Sequence, residues 1–321
     1  MSNARIVGHR AYRGHYPENT FVAFEKALEA GVDVIETDLQ MSKDGIVVVN
    51  HDQTTLRCWN KDYTISETEW SDLKTLRCND ERFADLRMPT LIEILKWVVD
   101  NPNVKLMLDI KFTNNMEILL KTVADMLSVR EDLPFWRDHI IWGLWALDWF
   151  QYGMETGVIK DFEVVCISLS LEMAKKFVEF SAKLNNPHFK LSGVSLHFVS
   201  TWSSSFQTKW IPYLQENNVE IFVWTINKDI DFKYCNALPI SGFVTDFPVE
   251  ARNAITKYDR SKLVFKRPFP LSKEGARFYS YLLLYRVIVE VLFSSWSQYK
   301  ILGNLSFSLI MIKIMKTIHF L

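Results

Sequence analysis

The stretch VIETDLQMSKDGIVVVNHD, residues 34–52, decides how this chain folds. Side chains of a β-strand alternate between two faces, so Glu36 and Asp38 share one face and Ile35, Thr37 and Leu39 the other. In a barrel wrapped by helices the aliphatic face packs outward and both carboxylates point inside. Residues 41–45 are too few for a parallel crossover and suit a hairpin built on Asp44 and Gly45. Counting back through a tight turn sets His51 opposite Glu36. In LMLDIK, residues 106–111, the same alternation sends Asp109 and Lys111 together, away from Leu106, Leu108 and Ile110.

Outward from this stretch, short β-branched or aliphatic runs alternate with amphipathic stretches of helix length, the pattern of βα units around a parallel sheet. The runs fall at 5–9, 33–40, 46–51, 105–111, 140–145, 163–169, 193–198, 220–227 and 242–246. They exceed by one the number a closed eight-stranded barrel needs, and the hairpin accounts for the surplus. Thr90 with Glu93 and Ser66 with Glu69 read as capping boxes, Pro248 sits where a first helical turn accepts it, and the helix after Asn19 closes at Gly31. The expected fold is α/β, a (β/α)8 TIM barrel over residues 1–256, followed by a basic linker at 257–277 and an apolar membrane-associating tail at 278–321. An open, doubly wound sheet is the alternative that composition leaves standing.

With 37 Lys and Arg against 38 Asp and Glu, the chain lacks the global positive field that grips nucleic acid, so no nucleic-acid partner is expected. Cys58, Cys78, Cys166 and Cys235 form no CxxC pair, which argues against a disulfide framework or a cysteine zinc site and for an intracellular, reducing compartment. The opening MSNARIVGHR has no cationic region followed by an apolar run, and no cleaved export signal is expected.

Inward charges at the C-terminal ends of barrel strands describe a catalytic mouth, because a packed barrel interior is otherwise aliphatic. Three converging carboxylates without cysteine, Glu36, Asp38 and Asp109, suit one hard divalent cation, Mg²⁺ or Ca²⁺. His9 ends the first run beside Arg10, and His9 and His51 are expected to face one phosphate. Phosphodiester hydrolysis needs a base for the attacking oxygen and an acid for the leaving alkoxide, and imidazole, with an ordinary pKa of ~6.5, serves as either. The cation and an arginine would stabilise charge on the phosphoryl oxygens. Bland readings stand beside these: Arg10 as a loop brace, Lys111 as the neutralising partner of Asp109, residues 17–20 as turn and helix cap. His15, His139, His188 and His319 carry no motif, and His197 reads as structural. Trp142, Trp145 and Trp149 read as packing, with a place at the mouth the alternative for Trp145.

GHRAYRGHYPENT at 8–20, the stretch at 34–52, LMLDIK and GFVTDFP at 242–248 together resemble the glycerophosphodiester phosphodiesterase family across residues 1–255. Within it the chain is similar to the fungal phosphatidylglycerol phospholipase C branch, through ETDLQM, LMLDIKFTN, WGLW and the terminal TIHFL. The resemblance implies that His9 and His51 are the acid/base pair, that Glu36, Asp38 and Asp109 hold the metal, that Arg10 and Lys111 contact phosphate, and that Trp224 lines the substrate mouth. Commoner family members carry Gly where Ala11 stands and Glu where Asp109 stands. The shorter Asp109 calls for a bridging water to complete its reach.

Residues 257–277 hold seven basic and two acidic side chains, with Pro268 and Pro270 against a long helix. Residues 278–296 and 301–314 are largely apolar, interrupted by Arg286, Glu290 and Lys313, and fall short of the ~20 uninterrupted apolar residues of a membrane span. They suit an interfacial helix or shallow hairpin, with the basic stretch attracted to anionic lipid; an extra helical layer on the barrel is the alternative. The expected protein is a metal-dependent phosphodiesterase acting on a glycerophospholipid, attached through residues 278–321 to a lipid droplet, endoplasmic reticulum or mitochondrial membrane. With the resemblance, the expected reaction is hydrolysis of phosphatidylglycerol to diacylglycerol and glycerol 3-phosphate, through a cyclic phosphate or by direct attack of water. Hydrolysis of water-soluble glycerophosphodiesters is the alternative, and a non-catalytic lipid-binding barrel a second.

Overall fold

The computed structural model describes residues 4–294, 300–302, 305–307, 310 and 311. Nine strands form its main sheet: β1 Arg5–Gly8, β2 Val34–Met41, β3 Val47–Val49, β4 Lys105–Ile110, β5 Ile140–Leu144, β6 Glu163–Ser168, β7 Gly193–His197, β8 Glu220–Trp224 and β9 Gly242–Thr245. Eight run parallel in the order β1-β9-β8-β7-β6-β5-β4-β2, and pairing of β1 with β2 closes the ring. The fold is a TIM barrel, and the open doubly wound sheet is excluded.

The surplus strand is β3, antiparallel to β2 with Leu39 opposite Val49 and Met41 opposite Val47. This register corrects the position of His51. It lies beyond the end of β3, and the pairing extrapolates to Thr37 rather than Glu36, because the turn holds three residues, with Gly45 at φ 82°.

Val7, Val34, Met107, Ile141, Val165, Phe222 and Val244 fill the barrel interior as one buried cluster. Below it Arg5 pairs with Glu220 and Lys105 with Glu163. Above it the same inward parity carries His9, Glu36, Asp38, Asp109, Lys111, His197, Trp224 and Asp246 to the C-terminal mouth. Ile35, Leu39, Leu106, Leu108 and Ile110 face outward into the core under the helices, as their alternation requires.

The capping box of Thr90 and Glu93 is formed on helix Leu91–Asp100, Pro248 lies in the first turn of helix Pro248–Lys257, and Gly31 follows helix Phe21–Glu29 at φ 73°. Ser66 and Glu69 form no box. Ser66 is drawn into a 3₁₀ turn, Ile65–Glu67, and Glu69 itself precedes the short helix Trp70–Leu73.

The basic stretch is fastened to the barrel: Arg260 donates to the carbonyls of Leu238 and Ile240, both at 2.6 Å. Helix Lys273–Phe293 begins ahead of the expected tail and forms the extra layer that was the alternative reading. Arg277 donates twice to Asp231, at 2.8 and 2.6 Å, and Phe278 stacks on Trp202 with centroids 4.6 Å apart. Its inner face therefore covers protein, while Leu283, Leu284, Val287 and Phe293 are exposed on the other side. Among the described residues no helix is long and apolar enough to cross a membrane. His319 and Lys313 lie outside the described residues.

Candidate active site

The turn leaving β1 carries His9 into the mouth and holds Arg10 at φ 48° and Ala11 at φ 68°. That left-handed region costs an ordinary residue ~1–2 kcal/mol, which is the physical reason for glycine at position 11 in commoner family members. Gly8 tolerates no side chain, since a Cβ there would stand 2.4 Å from the Ala11 carbonyl oxygen.

Glu36, Asp38 and Asp109 are buried, and one oxygen of each lies within 4.8 Å of the others. Two ligands on opposite sides of a Ca²⁺-sized ion stand ~4.8 Å apart, so one hard cation can meet all three. Asp109 falls within the cluster because the strand register sets it directly beside Asp38. Each carboxylate also has an oxygen fixed by the chain. The Arg10 N–H donates to Glu36 at 2.7 Å, the Asn19 side-chain amide to Asp38 at 3.0 Å and the Trp145 indole to Asp109 at 2.6 Å. Lys111 Nζ lies between the aspartates, 2.5 Å from Asp38 Oδ1 and 3.4 Å from Asp109 Oδ2.

These groups do not neutralise one another. Burial, with Asp38 and Asp109 nearby, pushes the Glu36 carboxyl well above the usual range. Burial also raises Asp109, with Asp38 adding to it and Lys111 opposing. Burial works against the charge on Asp38, yet Lys111, His51 and Arg10 hold its carboxyl well below the usual range. One member of the trio is thus satisfied and two are short of positive charge. A divalent cation with oxygen ligands fits that deficit, and the donor set is the hard one expected for Mg²⁺ or Ca²⁺.

Both histidines have a carboxylate on Nδ1. His9 Nδ1 is 2.6 Å from Asp246, whose other oxygen accepts from the Asn227 amide at 2.7 Å. His51 Nδ1 is 2.8 Å from Asp52, and Arg57 pairs with Asp52 in turn. A carboxylate there favours the Nδ1–H tautomer and leaves Nε2 to act as base. His9 Nε2 lies 4.0 Å from Glu36. Burial lowers the His9 pKa against the pull of Asp246, and burial with Lys111 lowers that of His51 to about 4.

Arg10 is both brace and site residue: its Nη1 donates to Glu18 at 3.0 Å and its Nε is 3.6 Å from Asp38. Trp224, half-buried at the end of β8, donates to the Ser195 carbonyl at 3.0 Å and meets Trp145 with ring centroids 5.9 Å apart. Trp142 and Trp149 are core residues. His197 is buried against Tyr285 and Trp224, and burial takes its pKa to about 3, in keeping with a structural part. His15 lies on the turn leaving β1, against Phe247 and Glu250, while His139 and His188 lie away from the mouth, against backbone carbonyls and Asp161.

Five participants were read as turn, cap or packing, or passed over: Glu18, Asn19, Asp52, Trp145 and Asp246. Their signal was adjacency, since Glu18 and Asn19 stand in PENT, Asp52 follows His51, and Asp246 ends the last barrel run. Asn19 caps no helix; at φ 58° its side chain bridges Thr37 and Asp38.

The model of the Glycerophosphoryl diester phosphodiesterase family matches residues 9–250. The Lysophospholipase D GDPD1 of Mus musculus is 24% identical over 286 residues, spanning 79% of this chain and 87% of that protein. A glycerophosphodiester phosphodiesterase of Caldanaerobacter subterraneus is 28% identical over 271 residues, spanning 78% of this chain and 98% of that protein. A phosphodiesterase of Oleispira antarctica, solved with the product sn-glycerol-3-phosphate, shares the fold at a TM-score of 0.63 and 19% identity, over 79% of this chain and 97% of that one. Family members are generally divalent-metal dependent, in keeping with the acidic cluster. The chain belongs to the glycerophosphoryl diester phosphodiesterase family, hydrolytic enzymes that act on phosphodiester bonds.

Proposed function

We propose that this protein hydrolyses glycerophosphodiesters to a glycerol phosphate and an alcohol, using Mg²⁺ or Ca²⁺ held by Glu36, Asp38 and Asp109. The observation that carries the reading is the convergence of those carboxylates with two carboxylate-paired histidines on one barrel mouth. Relatives named as a glycerophosphodiester phosphodiesterase and a lysophospholipase D favour it over the phosphatidylglycerol reaction expected from the branch resemblance.

A cation bound there would polarise a phosphoryl oxygen and stabilise developing charge. Arg10 and Lys111 add positive charge beside the same phosphate. One imidazole takes the proton of the attacking oxygen at Nε2. The other gains a proton in the field of the bound phosphate and gives it to the leaving alkoxide as the phosphorus–oxygen bond breaks. Trp224 lines the mouth beside Trp145, the indole that donates to Asp109. The test is release of glycerol 3-phosphate from glycerophosphocholine by the full chain, stopped by a chelator and restored by Mg²⁺ or Ca²⁺. No release with either ion would sink the reading.

Attachment to a lipid surface through residues 278–321 belongs to the same proposal. It is supported by the exposed row Leu283, Leu284, Val287 and Phe293, and by exposed Phe269 and Leu271 in the basic stretch. Flotation of the full chain with anionic liposomes, reduced several-fold by Leu283→Glu with Val287→Glu, is the expected result; flotation that the pair leaves intact removes this support.

A further inference from the structure

Glu18, on the segment between β1 and helix Phe21–Glu29, has a nearly buried side chain that three guanidinium groups surround. Arg10 Nη1 donates to it at 3.0 Å, Arg57 donates through Nη1 and Nη2 at 2.9 and 2.7 Å, and Arg13 Nε lies 3.6 Å away. Burial works against its charge, yet Arg10, Arg57 and Arg13 hold the carboxyl well below the usual range. Arg57 also pairs through Nε with Asp52, the partner of His51 Nδ1. On the other flank Arg13 lies 3.8 Å from Asp246, the partner of His9 Nδ1. A line of alternating charge thus runs from Asp52 through Arg57, Glu18 and Arg13 to Asp246, joining the supports of the two imidazoles. Its links are unequal: Arg57 is hydrogen-bonded at both ends, whereas Arg13 stands beyond hydrogen-bond distance of either carboxylate.

Arg57 reaches Glu18 across 39 positions of sequence, from a loop whose backbone is fixed. The Thr55 carbonyl accepts from the N–H groups of Cys58 and Trp59 at 3.1 and 2.9 Å, and the buried Trp59 indole donates to Asn50 at 2.8 Å. All three Arg57 nitrogens are engaged by the chain's own carboxylates, in the forked geometry a planar guanidinium matches. That engagement suits holding side chains in place rather than gripping phosphate. Without Arg57 the outer oxygen of Asp52 loses its partner, and an unheld carboxylate no longer fixes the ring it orients. We propose that Arg57, held by Glu18, is a positioning residue: it fixes Asp52 and, through it, the orientation and tautomer of the His51 imidazole. The proposal rests on the diesterase reading above and adds to that site a residue that works without touching substrate.

The test follows release of glycerol 3-phosphate from glycerophosphocholine by the full chain with Mg²⁺ or Ca²⁺. Arg57→Ala is expected to lower kcat about a hundredfold, the scale of misplacing a reacting group by about 1 Å, and to leave KM within about threefold. Arg57→Lys keeps the charge but cannot grip two carboxylates in one plane, so its kcat should lie within about threefold of that of Arg57→Ala. Combining Arg57→Ala with Asp52→Asn should be about as slow as the slower single variant, because both act through one imidazole. A raised KM at unchanged kcat, a lysine variant with the wild-type kcat, or losses that multiply in the double variant each overturn the proposal. Should Arg57→Ala fail to fold, Arg57→Lys carries the same kcat–KM comparison and the same pairing with Asp52→Asn. Release by the wild type reports separately on the diesterase reading. Where that activity is absent, imidazole nitrogen NMR of the full chain, assigned with His51→Gln, still decides. His51 held as the Nδ1–H tautomer in the wild type and as a mixture in the Arg57 variant supports the proposal; an unchanged His51 overturns it.

Discussion

The two halves of the barrel mouth are built from opposite chemistries. β1, β2, β4 and β9 lead into His9, Glu36, Asp38, Asp109 and Asp246, whereas β6, β7 and β8 lead into Leu169, His197 and Trp224. On the first side buried carboxylates crowd together, and two of them have raised pKa values, so that side costs the fold stability. On the second side rings and aliphatic chains pack under a helix fastened by Arg277 and Phe278, and that side contributes stability. Reactivity is concentrated where the fold is strained and support where it is relaxed, as expected of a site assembled at the expense of its scaffold.

The sharpest division comes from Asp38→Asn, which is expected to lower kcat on glycerophosphocholine about a thousandfold, the scale of losing a main electrostatic stabiliser. Glu36→Gln tests the stability side of the same half. The Glu36 carboxyl pKa is raised by burial and its acidic neighbours, so its contribution to the metal-free fold is fully present below the ordinary carboxylate value and lost as pH rises toward the folded one. In chelator, Glu36→Gln should match the wild type in melting temperature at acid pH and exceed it increasingly toward neutrality. Parallel melting profiles would show that the chain's own cations already compensate the charge.

The supporting half should respond in the reverse sense. Phe278 is fully buried on Trp202, and Phe278→Ala is expected to cost about 3 kcal/mol in urea unfolding while the folded fraction keeps its kcat on glycerophosphocholine. A loss of kcat on the scale of Asp38→Asn would erase the contrast. Smaller again is Asn19→Ala, which frees one Asp38 oxygen. Removing such a partner of a metal ligand typically costs 10–100-fold in metal affinity, here read as the cation concentration giving half-maximal activity.

How much of this was legible follows the same divide. Period-two alternation in residues 34–39 and 106–111 displayed the inward carboxylates, and the short gap after Met41 displayed the hairpin that resolves nine runs into an eight-stranded ring. Those are local patterns. The hairpin register slipped by one because loop length alone does not distinguish a two-residue from a three-residue turn. Pairings such as Asp246 with His9, 237 positions apart, have no local trace. The apolar tail was read by composition, which does not say whether lipid or protein covers it. Its spacing did carry a signal: Phe278, Leu282, Tyr285 and Ile288 form one helical stripe, the buried one.

The smallest effect tests the tightest turn of the reactive half. Ala11 is fully buried at φ 68° and donates its N–H to the Glu36 carbonyl at 3.1 Å. Ala11→Gly removes a left-handed strain of ~1–2 kcal/mol, but gives up a buried methyl worth ~0.8 kcal/mol and adds ~0.4–1 kcal/mol of unfolded-chain entropy. The terms nearly cancel, so stability in urea should change by less than about 1 kcal/mol in either direction. Because the backbone bond to Glu36 survives, kcat should stay within about twofold, well inside what loss of a metal partner costs. A stabilisation well beyond 1 kcal/mol would mean the turn is strained more than its dihedral angle indicates; a clear loss of activity would mean the Ala11 methyl itself positions His9.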